Sequence, residues 1–186
     1  MNHVIRAVRA DEWARVKELR LVALQDPAAS IAYLDTYETA SRQPDSFWQE
    51  RAAGAVAGRG VQQFVAEAPD GSWSGSVGLL IEPAGISEFF GTVIERSQGH
   101  LIGVFVRPAQ RGGGLIDGLV EAALDWAWSL EEPRLERVRL HVHESNGRAG
   151  AVYRRLGFEP TGVLVPFAPD PSAKELEMAV GRPAAR

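Results

Sequence analysis

Residues 103–130 join a short apolar strand to an apolar helix through three consecutive glycines, and this junction constrains the fold more than any other part of the chain. Gly112, Gly113 and Gly114 carry no Cβ, so their backbone can take positive φ and lie close to a ligand with N–H groups pointing outward. Apolar residues then recur at three- and four-residue spacing, at Leu115, Ile116, Leu119, Val120, Ala123, Leu124, Ala127 and Leu130. The unpaired N–H groups that begin such a helix attract an anion, and Arg111 adds a positive charge. The junction therefore predicts a strand, a turn and a helix that together cradle a pyrophosphate.

Two other nucleotide-binding motifs do not fit these glycines. A P-loop needs Lys followed by Ser or Thr after its last glycine, but here Leu115 and Ile116 follow. A dinucleotide fingerprint needs G-x-G-x-x-G after the first strand, but Asp117 stands at the third glycine position, late in the chain. A lone glycine-rich turn is also consistent with an ordinary connection between a strand and a helix.

A second informative segment, residues 146–158, predicts one short helix with both ends marked. Asn146 is suited to cap its beginning, and Gly157 is suited to end it. One face of this helix is apolar and carries Ala149, Val152, Tyr153 and Leu156. The phenol of Tyr153 therefore emerges from a buried stripe, either toward a ligand or as a core tyrosine with a satisfied hydroxyl.

Together and in this order, the two segments resemble the GNAT-type N-acetyltransferase superfamily, which transfers an acetyl group from acetyl-coenzyme A to an amine. Residues 110–116 are similar to the family's Arg/Gln-x-x-Gly-x-Gly/Ala loop, and residues 146–158 to its Asn-x-x-Ala-x-x-x-Tyr-x-x-x-Gly-Phe segment. Ile116 departs from the pattern, since it replaces a small residue and would crowd the pyrophosphate while keeping its backbone N–H. The resemblance implies an α/β fold with a mixed central sheet of six to seven strands flanked by helices.

The resemblance also implies roles for individual residues. In the family, the central strand binds the pantetheine arm and the thioester carbonyl, the loop binds the pyrophosphate, and the tyrosine donates to the sulfur. Carried over to this chain, the acetyl-CoA-binding residues are Val104, Phe105, Val106, Arg111, Gly112, Gly113, Gly114, Leu115, Ile116, Asn146 and Tyr153. Tyr153 is the predicted acid, and its reference pKa of about 10 favours donation of a hydrogen bond over full proton transfer.

Several residues compete for the role of general base. His100 opens the central strand, where the family often places a carboxylate, and its reference pKa of about 6.5 suits work near neutrality. Glu144 and Glu82, each at the end of a predicted strand, are alternatives that act directly or through water. His141 and His143 share one strand face, but no third ligand accompanies them, so we predict no metal site.

Composition limits the class of protein. At 186 residues, with 45% hydrophobic and 24% charged residues, one domain over 1–186 is predicted. The chain has no cysteine, which excludes a disulfide framework, a thiolate zinc cluster and a cysteinyl acyl-enzyme. A net charge of −4 argues against a nucleic-acid partner. The chain lacks both a membrane-length apolar run and a signal-peptide core, so we expect no membrane partner and a cytoplasmic location.

The predicted function is direct transfer of acetyl from acetyl-CoA to an amine of a small molecule or peptide. A noncatalytic acyl-CoA-binding module and a nucleotide-dependent transferase are the alternatives, and a homodimer is possible by analogy with relatives. Strands are predicted at 3–8, 62–68, 73–82, 99–106, 137–143, 161–165 and 175–180, with a loop at 166–172 and a frayed tail from 181. Helices are predicted at 10–24, from 45, from 115 and from 146, and residues 85–99 form an unassigned excursion.

Overall fold

The computed structural model describes residues 3–56, 60–87 and 91–184, and within them the predicted strands and helices occur in the predicted order. Two short helices at 29–32 and 37–41 were not predicted. The strands are β1 (Val4–Ala7), β2 (Val61–Glu67), β3 (Trp73–Glu82), β4 (Gln98–Val106), β5 (Arg137–His143), β6 (Glu159–Phe167) and β7 (Asp170–Gly181). The helices are α1 (Trp13–Ala23), α2 (Ala29–Ala32), α3 (Tyr37–Ser41), α4 (Asp45–Val56), α5 (Leu115–Ser129) and α6 (Gly147–Arg155). The excursion at 85–99 is partly described, with a bridge between Ser87 and Val93, while 88–90 lie outside the described residues.

All seven strands form one mixed sheet in the order β1-β2-β3-β4-β5-β7-β6. Every neighbouring pair is antiparallel except β4 and β5, which are parallel. Because α5 buries its apolar stripe against one face, that face carries the larger core, which α6 extends. A second core on the opposite face contains Val16 and Leu19 of α1, Trp48 of α4 and Phe105 of β4. The mixed α/β sheet of six to seven strands is therefore confirmed.

The closing hairpin differs from the predicted one. Its strands continue through the segment predicted as a seven-residue loop, and only Ala168 and Pro169 form the turn. Prolines are tolerated because β6 is the edge strand and because β5 pairs only with residues 175–181 of β7. The tail prediction is also wrong at its start: Gly181 ends β7, and the Arg182 N–H donates to the carbonyl of Glu136 at 2.8 Å.

The sheet opens between its two central strands. Cα partners of β4 and β5 are limited to Gln98–His100 against Arg137–Arg139, so among the described residues the rest of β4 has no strand partner on that side. The register of β4 against β3 passes from Ile102↔Gly78 to Phe105↔Ser76, which places two residues of β4 opposite one of β3. This is a β-bulge, and Gly103 there has φ +59°, a conformation that favours glycine. The bulge and the short parallel ladder leave a gap in the sheet beside β4.

Candidate active site

The glycine-rich turn lies at the beginning of α5, on one side of this gap. Gly112 and Gly114 have φ +83° and +77°, and Gly114 is the N-cap of the helix. Across the described parts of the chain, the N–H groups of Gly112 to Gly114 find no backbone or side-chain acceptor. The first N–H groups of a helix also lack intrahelical partners. The turn therefore presents a cluster of free donors at the positive end of α5.

A cavity of about 600 Å³, here called the first cavity, begins at this turn and runs along the open edge of β4. Its lining joins α2, β4, the turn, the first residues of α5 and one face of α6. All the predicted acetyl-CoA-binding residues except Gly113 line it, namely Val104, Phe105, Val106, Arg111, Gly112, Gly114, Leu115, Ile116, Asn146 and Tyr153. Free N–H donors at one end and an apolar channel beside unpaired backbone fit a pyrophosphate followed by a pantetheine arm.

Two side chains that line the first cavity, Arg111 and Ile116, make protein contacts that the sequence did not reveal. Arg111 donates from Nε to the carbonyl of Val106 at 2.9 Å and forms an ion pair with Asp26. Its guanidinium is thus held by the protein rather than aimed freely at a ligand. Ile116, the departure from the family motif, is half-buried against the larger core and also contacts the cavity.

Asp117 places a carboxylate in the first turn of α5, close to where a pyrophosphate would bind. Arg155 of α6 clamps this carboxylate with bonds of 2.6 and 2.7 Å, and it lowers the pKa of Asp117. The exposed Arg148, also from α6, lines the same cavity. The local negative charge is therefore compensated by arginines of α6.

Tyr153 lies on α6 where the first cavity meets a second one, since it lines both. Asn146 positions this helix by accepting the Ala149 N–H at its Oδ1, at 3.2 Å, so the predicted cap is confirmed. The Tyr153 ring packs edge-on against Phe158 at 6.0 Å between centroids. Burial raises the pKa of the Tyr153 phenol, with a further contribution from Tyr33, so the hydroxyl keeps its proton and acts as a donor.

Tyr33 is a site residue to which the sequence analysis gave no role. Its hydroxyl donates to the carbonyl of Val104 at 2.9 Å, beside the β-bulge, and burial raises its pKa to about 12. This bond ties the segment after α2 to the unpaired edge of β4. Its acceptor is a backbone carbonyl of a distant strand, and residue spacing in the sequence cannot show such a contact.

The second cavity, of about 390 Å³, lies on the polar face of β4 and β5. His100, His141, His143 and Glu175 line it from the sheet. His100, the leading candidate base, has both ring nitrogens engaged: Nδ1 lies 3.0 Å from Glu82 Oε1, and Nε2 lies 3.2 Å from His141 Nδ1. Burial lowers the pKa of His141 to about 4, and His100 and Arg139 add to this effect, so His141 is neutral near pH 7.

A buried ion network underlies this cavity. Arg139 makes two hydrogen bonds to Glu82, at 2.8 and 2.9 Å, and one to Glu177 at 2.9 Å. Burial alone would raise the pKa of Glu82, but the bonds from His100 and Arg139 outweigh it and lower the pKa to about 2. Glu82 is therefore a fixed anion under ordinary conditions, and its chemistry does not suit the base role that the sequence left open for it.

Two further carboxylates, Glu144 and Glu175, differ in their position relative to the cavities. Glu144 is exposed, its Oε1 accepts the Lys174 N–H at 2.9 Å, and it lines neither the first nor the second cavity. Glu175 of β7 lines the second cavity, is half-buried and lies opposite His143 in the strand register. Burial raises the pKa of Glu175. Residue spacing carries no signal for Glu175, because only the pairing of β5 with β7 brings this residue beside the histidines.

His143 has a defined tautomer. The Ser145 N–H donates to His143 Nδ1 at 3.2 Å, and Ser145 Oγ lies 2.8 Å from the same atom. Since Nδ1 accepts, the neutral ring carries its proton on Nε2 and is a donor there.

Within the described ranges, no group of three or more His, Asp or Glu is arranged to hold a metal ion, and no helix is long and apolar enough to cross a membrane.

Comparison with known proteins relates this geometry to one family. A family model described as the acetyltransferase (GNAT) family matches residues 13–158. A search of curated proteins found no match. Among solved structures, Arabidopsis thaliana NAA60 in complex with a bisubstrate analogue has a TM-score of 0.69 at 17% identity, covering 97% of this chain and 98% of that one.

Two further structures are similar in fold. PaiA N-acetyltransferase from Thermoplasma acidophilum in complex with coenzyme A has a TM-score of 0.69 at 16% identity, with 95% and 98% of the two chains covered. Spermidine N-acetyltransferase from Vibrio cholerae in complex with CoA and spermine has a TM-score of 0.65 at 19% identity, with 97% and 95% covered. At these identities the likeness concerns the fold, whereas the family model matches most of the sequence. The chain therefore belongs to the GNAT family of acetyltransferases.

Proposed function

We propose that the chain is an acetyl-CoA-dependent N-acetyltransferase that moves the acetyl group directly to an amine of a small molecule or peptide in a ternary complex. The observation that carries this proposal is the position of Tyr153, where the first cavity, with its anion-binding turn, meets the second cavity. Structural relatives solved with coenzyme A, and with CoA and spermine, support the same pairing of donor and amine.

The first cavity holds the donor by backbone groups more than by side chains. The free N–H groups of Gly112 to Gly114 and the start of α5 bind the pyrophosphate, with Arg148 nearby. The pantetheine arm lies along Val104 to Val106, which have no partner strand on the side of the gap. The carbonyls of Val104 and Val106 already accept bonds from Tyr33 and Arg111, so a main-chain N–H of this segment is the donor to the thioester carbonyl oxygen. Acetyl-CoA, when bound, supplies a thioester whose C–S bond breaks as the new C–N bond forms.

The second cavity supplies the base. We place it at Glu175 rather than at His100, because both nitrogens of His100 already have protein partners. Glu175 takes the proton of the acceptor ammonium, and the raised pKa of its half-buried carboxyl brings it closer to the working pH. Tyr153 donates its phenolic hydrogen bond to the departing sulfur on the other side of the junction.

The test is thermal unfolding with and without acetyl-CoA, with ATP and NADH as controls, followed by a thiol-release assay with an amine panel. Acetyl-CoA at about 100 times its Kd stabilises by roughly 2.7 kcal/mol, which raises Tm by about 5–10 °C for a chain of this length. An equal shift with ATP, or none with any ligand, would refute the cofactor assignment. A shift without thiol release from any amine would instead support a noncatalytic acyl-CoA-binding module.

A further inference from the structure

We propose that the acceptor amine also carries an oxyanion, such as a carboxylate or phosphonate, which Arg20 and Arg51 bind in the second cavity. The inference rests on the proposed function, since it names the substrate class of the same site. Both side chains line the second cavity and also a third, adjoining one of about 330 Å³. They come from α1 and α4, so they lie on the β1–β4 side of the gap.

Arg20 is a half-buried cation that forms no ion pair with any residue in the described ranges. Its guanidinium lies over the ring of Tyr33, 4.5 Å from the centroid. Among the residues that the structure describes, no carboxylate comes within ion-pair distance of it, whereas the half-buried Arg6, Arg107 and Arg111 all have one. Holding a half-buried guanidinium without a counter-ion is costly, so this arrangement calls for an anion from outside the chain.

Arg51, which is exposed, adds a second positive charge beside Arg20. Burial lowers the pKa of Arg20, and the nearby charge of Arg51 adds to the effect, so two like charges face the same space. Asp35 is the acidic group whose charge acts on both guanidiniums. Its carboxylate accepts the Thr36 N–H at 2.9 Å and forms no ion pair with either arginine. An oxyanion between the two guanidiniums would receive several charge-assisted hydrogen bonds.

The opposite wall of the second cavity has the complementary character. Glu175 and His143 come from β7 and β5, across the gap from α1 and α4. An acceptor with an ammonium and an oxyanion therefore meets Glu175 with the first and the two arginines with the second. A polyamine such as spermidine has only positive charge and would be repelled by Arg20 and Arg51.

The experiment compares matched acceptors in the thiol-release assay. The panel holds the common L-amino acids, β-alanine, 4-aminobutyrate and 2-aminoethylphosphonate, each tested against its amide or its acid-free amine, with spermidine included. In the pair with the highest activity, we expect the acid-bearing amine to have a kcat/KM at least tenfold higher than its acid-free counterpart. Comparison of the carboxylates with the phosphonate then identifies the preferred oxyanion. Equal rates within pairs, a preference for spermidine, or no turnover of any acid-bearing amine would overturn the inference.

Variants locate the effect at the two arginines. Arg20→Gln and Arg51→Gln should each remove most of that preference by raising KM for the acid-bearing amine. The exposed Arg134 lies outside both cavities, and Arg134→Gln should leave the preference unchanged. Acetyl-CoA should still raise Tm in all three variants, which separates this proposal from the proposed function. If both Arg20→Gln and Arg51→Gln retain the preference for the acid-bearing amine, the assignment is refuted. If Arg20→Gln does not fold, because Arg20 is the more buried of the two, Arg51→Gln still tests the proposal.

Discussion

Replacing His141 by Asn should make the protein less sensitive to mild acid. The folded-state pKa of His141 is about 4, against an ordinary value of 6.5, because burial and neighbouring positive charges oppose protonation. Between these two values the unfolded chain binds a proton that the folded chain does not, so stability falls as the pH decreases from 6.5 toward 4. Asn keeps a polar atom near the position of Nδ1, which contacts His100, but cannot titrate.

The magnitude follows from the same pKa difference of about 2.5 units. At pH 5 His141 costs the folded state about 2 kcal/mol relative to pH 7.5. A chain of this length has an unfolding entropy of about 0.4 kcal/mol/K, so this cost corresponds to a fall in Tm of about 5 °C. The loss of stability from Glu82 lies lower, below pH 4.5, where its carboxylate begins to protonate in the unfolded chain.

The assay is a series of thermal unfolding curves from pH 7.5 to pH 5 for the wild type, His141→Asn and His3→Asn. The wild type should lose about 5 °C more than His141→Asn over this range. His3, which contacts Ser74 far from the network, serves as the control, and its variant should follow the wild type. Parallel curves for the wild type and His141→Asn would refute the assignment of a neutral, buried imidazole at this position.

Four further predictions concern catalysis, donor binding and stability. Tyr153→Phe should lower kcat by at least about 100-fold with an unchanged acetyl-CoA thermal shift, because it removes only the donor to sulfur; wild-type turnover would contradict the role. Glu175→Gln should abolish the acidic limb of the pH–rate profile, and a retained limb would exclude it as the base. Gly113 does not have a positive φ, so Gly113→Gln should bind acetyl-CoA nearly as well as the wild type. Gly113→Glu should raise the KM for acetyl-CoA at least tenfold, because its carboxylate repels the pyrophosphate. Equal KM values for the two variants would argue against an anion at the turn. Glu82→Gln should reduce the free energy of unfolding, measured in urea at pH 7, by about 3 kcal/mol, because it removes the anion that accepts two hydrogen bonds from the buried Arg139. Glu136→Gln, in an exposed pair, should change it little, and similar losses in the two variants would contradict this reasoning.

The local elements were largely predictable because local patterns specify them. β5 has the bounds that its alternation of apolar and polar residues predicts, and α5 begins directly after the three glycines as its stripe requires. The asparagine and glycine that mark the ends of α6 stand in their predicted places, with Gly157 at φ +88°. These are regularities of one segment, and they need no knowledge of its neighbours.

The rest of the site depends on contacts between distant segments. Glu175 reaches the second cavity only because β7 inserts between β5 and β6. The partners of Arg111 and His100 lie on other elements, so sequence spacing could not show that these side chains are already engaged. The β-bulge at Gly103 had no sequence signal beyond a glycine within a strand, yet it determines which backbone groups face the gap.

The short parallel ladder between β4 and β5 has a consequence for local opening of the protein. The backbone ladder at this seam has three residue pairs, and the Glu82–Arg139 ion pair, the Gln98–Arg137 hydrogen bond and the His100–His141 contact add side-chain links between the two halves of the sheet. The backbone amides on either side of the seam should therefore exchange their hydrogens faster than those within each half. A bound acetyl donor that contacts both β4 and α6 links the two halves of the sheet across the seam. Its binding should therefore slow hydrogen exchange in both halves at once.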